Sequence, residues 1–341
     1  MICMSKTDDI IKSEIASVCK VKNLKTRYFL GTSNRDQDLW CEGGLTFGYN
    51  KLLYGSNDFA LYRDENWVHE YSGIEVNKKP VIVIEGTHCL NTKSYGSAQL
   101  QRFHHAYGSM LNDIISVYYL KKGKYSIRTD LLLAAYTATV KHRKNGGEGC
   151  YIVTDSIDDL RNLILTVDQY GENSPETNKV IEDIMKKMYL AVKEGLKKYT
   201  NYIEYLNKRA IFKSSQGIWT KYLGPKKDSI TDSSKRYGHI VLGEAIVAKY
   251  LLQNINVESF NYFFPLMNRN EIDDINASFT RDKEWKLLNN LEGVNLVPLD
   301  EMLCISNQLK QEIAPFRKLN LNDHRKAWNV VRAKIETSLK Q

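Results

Sequence analysis

The strongest constraint on this chain is the run Pro80-Val81-Ile82-Val83-Ile84-Glu85-Gly86-Thr87. Four consecutive β-branched residues favour a strand, and apolar side chains at successive positions require that both of its faces be covered. Such a strand belongs inside a sheet with helices packed on it. Its end breaks the pattern. Glu85 places a carboxylate where burial is costly unless a cation, a lysine or a hydrogen-bond network meets it. Asp58 lies 27 residues earlier, inside Ser56-Asn57-Asp58-Phe59-Ala60-Leu61-Tyr62, where apolar residues alternate as in a second strand.

A polar loop rich in Gly, Asn, Ser and Thr follows Glu85. The spacing then predicts a helix over 97–111, with Leu100, Phe103, Tyr107 and Met110 on one face and Gln99 with Arg102, and Gln101 with His105, elsewhere on it. A further strand is predicted over 114–120. The order is therefore a strand with Asp, a strand ending in Glu, a helix carrying polar residues, and a strand. This resembles the catalytic core of the PD-(D/E)xK nuclease superfamily and, within it, the type II restriction endonucleases. The resemblance implies that Asp58 and Glu85 ligate Mg²⁺, with the carbonyl of Gly86 as a third ligand. It also implies double-stranded DNA as substrate, a symmetric homodimer and 5′-phosphate products. One position departs from the pattern: the triplet is Glu85-Gly86-Thr87, with threonine where that family carries lysine. Lys93 in the following loop, or Lys51 before the Asp58 strand, is the candidate to supply the ammonium, and Arg102, Gln99 and His105 to hold the adjacent backbone.

The chemistry can be argued without the resemblance. Phosphodiester hydrolysis needs a nucleophilic water near neutral pH and positive charge near the phosphate oxygens, and Mg²⁺ supplies both. Magnesium takes oxygen ligands and commonly only one or two protein carboxylates. The competing structural reading makes Asp58 a strand-end turn residue and Glu85 the ion-pair partner of Arg102 or of a lysine.

Over the whole chain, 341 residues with 43% apolar and 26% charged residues suit a folded protein with a full core. No apolar stretch is long enough to span a membrane, and the first twenty residues lack the pattern of a signal peptide, so a cytoplasmic setting is expected. Six cysteines fall without paired spacing, which signals neither a disulfide framework nor a zinc ribbon; His88, Cys89, His104 and His105 are a weak zinc pattern for the same reason. The glycines of 145–149 lack the ending of a phosphate loop and precede a strand, so no nucleotide cofactor is expected.

Thr129 or Asp130 is placed to cap a helix running to Val140, and Ser156 to cap one over 157–167, with a strand over 150–154 between them. These elements complete an α/β, restriction-endonuclease-like core over 1–170, a mixed sheet flanked by helices. Residues 171–341 are expected to form a mainly helical region that contacts DNA, with helical spacing over 178–210 and a strand over 260–266. Between 205 and 237, Lys208, Arg209, Lys213, Lys221, Lys226, Lys227, Lys235 and Arg236 are opposed only by Asp228 and Asp232, and this segment holds most of the net charge of +8. Trp219, Tyr222 and Tyr237 are interleaved. Lys226, Lys227, Lys235, Arg236 and Tyr237 are its candidate duplex contacts, read as a basic loop that orders on DNA; Lys51 joins them from the first half. Three alternatives stand beside sequence-specific cleavage: a repair or structure-selective nuclease, a DNA-binding protein whose nuclease site has decayed, and a small-molecule enzyme, for which no cofactor motif is present.

Overall fold

The structure is a computed structural model that describes residues 6–28, 45–49, 52–63, 80–93, 95–197, 212–213, 218–222, 243, 245–247, 249–250, 259–264, 268–270, 291, 293–301, 306–318, 330–331, 333–335 and 337. The chain divides into two compact units, Met1–Gly195 and Leu196–Gln341. The first extends past position 170, the limit expected from composition.

In chain order the first unit holds α1 (Lys6–Val18), β1 (Lys25–Tyr28), β2 (Leu45–Tyr49), β3 (Leu52–Asn57), β4 (Phe59–Tyr62), β5 (Ile82–Thr87), α2 (Tyr95–Gln101), α3 (Phe103–Met110), β6 (Ile115–Leu120), α4 (Thr129–Lys144), β7 (Cys150–Thr154), α5 (Ile157–Tyr170) and α6 (Pro175–Leu196). Five strands make one mixed sheet in the order β1-β4-β5-β6-β7. The pairs β1/β4 and β4/β5 are antiparallel, and β5/β6 and β6/β7 are parallel. The β-branched run of β5 thus takes the central place, with two strands on each side. Ile82, Val83 and Ile84 are fully buried. Helix α1 covers one face at β5, where a side chain at Gly86 would run into Ile11 and Ile15. Helices α3 and α4 pack against the sheet as well. The expected α/β class, a mixed sheet flanked by helices, is what the chain forms.

Two expected elements are altered. The helix over 97–111 is broken at Arg102, whose backbone (φ −115°, ψ 3°) is not helical, so α2 and α3 meet there at a joint. Tyr118 Oη donates to the Gln99 carbonyl at 3.0 Å and Tyr151 Oη to the Phe103 carbonyl at 2.5 Å, so strands β6 and β7 grip the joint from both sides. The expected apolar face of Leu100, Phe103, Tyr107 and Met110 is buried. At α4, Arg128 holds the N-cap position, and neither Thr129 nor Asp130 caps it; Asp130 is instead paired with Arg128 at 2.6 Å. At α5 the expected cap is present, Ser156 Oγ accepting from Asp159 N at 3.1 Å.

In the second unit, expected to be mainly helical, the described residues also hold a four-stranded sheet. Its described residues include β8 (Phe212–Lys213), β9 (Ile218–Tyr222), β10 (Ser259–Phe264) and β11 (Val294–Pro298), joined in the order β11-β10-β9-β8. The strand expected near 260 is the inner strand β10, parallel to β9 and to β11. Helix α7 (Asn307–Ile313) follows, capped by Ser306. Part of the basic segment read as a loop is therefore strand β9, with Lys221 within it.

Candidate functional site

Asp58 occupies the bend where the chain leaves β3, a member of the separate β2/β3 pair, and enters the main sheet as β4. Phe59 pairs with Ile84 in an antiparallel register, so the start of β4 lies beside the end of β5. This brings Asp58 to Glu85 and Gly86. Asp58 Oδ2 accepts a hydrogen bond from the Gly86 N–H at 2.9 Å, and Asp58 N donates to the Ile84 carbonyl at 3.1 Å. The absence of a side chain at Gly86 is what lets α1 close over this strand.

Glu85 points to the opposite side, toward α3, and its side chain is only 2% exposed. Arg102 Nη1 donates to Glu85 Oε1 at 3.2 Å and to the Gly86 carbonyl at 3.1 Å, and lies 3.8 Å from Asp58 Oδ2. His105 Nδ1, one turn further along, is 3.3 Å from Glu85 Oε2. The ion pair of Glu85 with Arg102, expected under the structural reading, is thus formed, and it joins the same three oxygen donors that the metal reading picked out. Burial above all, then the neighbouring Glu85 carboxylate, pushes the Asp58 carboxyl up to about 7; Arg102, the Gly86 N–H and His105 act against the rise. Two carboxylates that repel each other at one point are what a cation placed between them relieves.

The other candidates divide. Gln99, expected to hold the DNA backbone, is not at the surface. It is buried, its amide donating to the Ser126 carbonyl at 3.2 Å and its Oε1 accepting from Arg128 N at 2.8 Å, so it clips the loop after β6. Lys93 is exposed in the loop after β5, and among the described residues no lysine ammonium contacts Asp58 or Glu85. Thr87 turns to Cys89: burial pushes that thiol up to about 11, and a hydrogen bond with the Thr87 side chain opposes the rise. Lys51, Lys226, Lys227, Lys235, Arg236 and Tyr237 lie outside the described residues.

A basic rim stands at the same end of the sheet as the carboxylates. The loops that follow the parallel strands β5 and β6 carry exposed Lys93, Lys122 and Lys124, with Tyr95 stacked on Tyr125 at 3.9 Å. Residues 86–112 and 121–129 contain no Asp or Glu. Tyr125 N donates to the Leu90 carbonyl at 3.1 Å, tying one loop to the other. Their shared sign was readable in the sequence; their adjacency depends on the parallel pairing of β5 with β6.

No family model, curated protein or solved structure matches this chain. The site's chemistry must therefore be judged on its own donors. Asp58, Glu85 and the Gly86 carbonyl offer only oxygen, the preference of Mg²⁺ over softer metals. A positively charged nitrogen already rests among all three, and the oxygen donors are of the kind the ion takes. Among the described residues no group of three or more His, Cys, Asp or Glu side chains forms a cage, a number Mg²⁺ does not require. No described helix is long and apolar enough to cross a membrane.

Proposed function

We propose that this protein is a Mg²⁺-dependent endonuclease that cuts double-stranded DNA at a short sequence, its first unit a core of the PD-(D/E)xK type and its working form a homodimer. The observation that carries the reading is the convergence of Asp58, Glu85 and the Gly86 carbonyl on one point, at the end of the sheet where the basic rim also stands. The order and direction of β4, β5, the α2/α3 pair and β6 add support.

Asp58 and Glu85, with the Gly86 carbonyl, would hold the ion. When bound, Mg²⁺ would supply the positive charge that the reacting phosphate needs and would acidify the attacking water. The protein's own groups do the rest. His105 sets the orientation of Glu85, and the β5 backbone fixes Gly86. Lys93, Lys122 and Lys124 meet phosphates flanking the reacting one, a contact that is strong, sequence-independent and weakened by salt. The Tyr95/Tyr125 pair presents an aromatic face beside them.

A second reading, a DNA-binding protein of the same architecture that does not cut, is favoured by Thr87, which is engaged with Cys89 where a catalytic lysine would stand. One experiment separates the two. Full-length protein is incubated with a long sequenced DNA and Mg²⁺, beside an EDTA control and Glu85→Ala. Discrete fragments that vanish in both controls are expected. Intact DNA that nevertheless shifts on a gel in a salt-sensitive way would overturn the nuclease reading in favour of binding alone.

A further inference from the structure

The three oxygens do not converge on empty space. Arg102 Nη1 lies 3.1 Å from the Gly86 carbonyl, 3.2 Å from Glu85 Oε1 and 3.8 Å from Asp58 Oδ2. A magnesium ion would take those same oxygens as ligands, the atoms that the guanidinium nitrogen now contacts. A dication and a guanidinium sharing the same oxygens repel. One must yield. Glu85 and Gly86 are fixed on the central strand, and the Glu85 side chain is 2% exposed, whereas that of Arg102 is 31% exposed and springs from the non-helical joint between α2 and α3.

We infer that Arg102 is the site's own interchangeable cation: it pairs with Glu85 and Asp58 until a divalent ion enters, and is then displaced toward the rim, where its planar fork is suited to a phosphate. The inference rests on the metal-site reading above. Guanidinium groups pair with phosphate in two-pronged fashion, so the displaced side chain has a second partner of the right charge at the same mouth. Entry of the ion and capture of a phosphate are then linked, each favouring the other, because both select the displaced position of Arg102. Glu85, the buried carboxylate of the two, faces a cation at either stage, as a buried charge requires.

The test uses full-length protein without DNA, so that binding is read apart from cleavage. Mn²⁺ and Mg²⁺ are titrated by calorimetry into the wild-type protein, Arg102→Gln and Glu85→Gln. Removal of the internal competitor is expected to tighten the ion at least tenfold in Arg102→Gln, and Glu85→Gln to lose it. Should Arg102→Gln not fold, the wild-type protein carries the test alone. With ¹⁵N-labelled arginine, the Arg102 side-chain signal, identified as the one missing from Arg102→Lys, is expected to move with the same half-saturation as the ion's binding. Ion binding at equal strength in wild type and Arg102→Gln, or an Arg102 signal that stays fixed while the ion binds, would overturn the exchange and leave the metal site standing. Failure of either ion to bind wild type and Arg102→Gln alike would overturn the exchange and the metal-site reading together.

Discussion

Asp113 shows how much a single carboxylate can hold in this protein outside the candidate site. Its φ of +58° is the only positive value among the described non-glycine residues, and its Oδ1 accepts from Glu148 N at 2.9 Å and His142 Nε2 at 2.8 Å. Desolvation works to raise its pKa, but the Glu148 N–H, His142 and the Gly149 N–H prevail and hold it below the ordinary value of 3.8. A carboxylate depressed in the folded state adds stability above its unfolded pKa, and that stability disappears as the pH falls through the folded value. Asn tolerates positive φ, so Asp113→Asn isolates the charge. The variant is expected to unfold more readily than wild type at pH 6, with the gap closing below about pH 4 in denaturant titrations across pH. Asp168 is a second such case. It accepts from the backbone of Asn23 and Leu24, both at 2.7 Å, and fastens the start of β1 to α5. Nothing in its local sequence distinguishes it from a solvated helix residue, because its partners are about 145 positions away. Glu85 was conspicuous for the opposite reason, a charge ending an unbroken apolar run.

At the scale of elements, patterns that repeat within a few residues were legible and long-range captures were not. The burial of β5, β6 and β7, the apolar face shared by α2 and α3, and the Ser156 cap all follow from local periodicity or a local hydrogen bond. The break at Arg102 does not. It depends on hydroxyls of Tyr118 and Tyr151, on two other strands, reaching the carbonyls of Gln99 and Phe103. Likewise Asp58 reads as mid-strand from its neighbours, but it is the bend at which the chain passes between sheets. Strand β9, with Lys221 inside it, lies in a basic segment and is recognised only by its pairing with β10. The joint makes a testable claim. Tyr151→Phe leaves the Phe103 carbonyl without that donor and is expected to cost about 1–2 kcal/mol in denaturant titrations. Because it acts on the joint and not on the carboxylates, under the nuclease reading proposed above cleavage is expected to fall less than tenfold, where Glu85→Ala would abolish it.

For the molecule as a whole, the sheet separates what must be fixed from what is free to vary. The candidate ligands sit on the central strand and at the bend that opens the strand beside it, which sheet register and α1 hold in place. Asp58 and Glu85 meet although 27 residues part them, because β4 and β5 run in opposite directions. The chain between them leaves and returns at the far end of these strands, where Val81 N donates to the Leu61 carbonyl at 2.9 Å. The register of these two strands aligns the acids. Lengthening the 64–79 segment twofold with Gly and Ser is therefore expected to cost only about 0.6 kcal/mol in loop closure. Under the metal-site reading proposed above, calorimetric titration of Mn²⁺ into the lengthened protein is expected to give wild-type affinity. For an engineer, the far end of β4 and β5 is accordingly a port for a fluorescent reporter or a tethering tag, a place where cargo can be carried without moving the carboxylates.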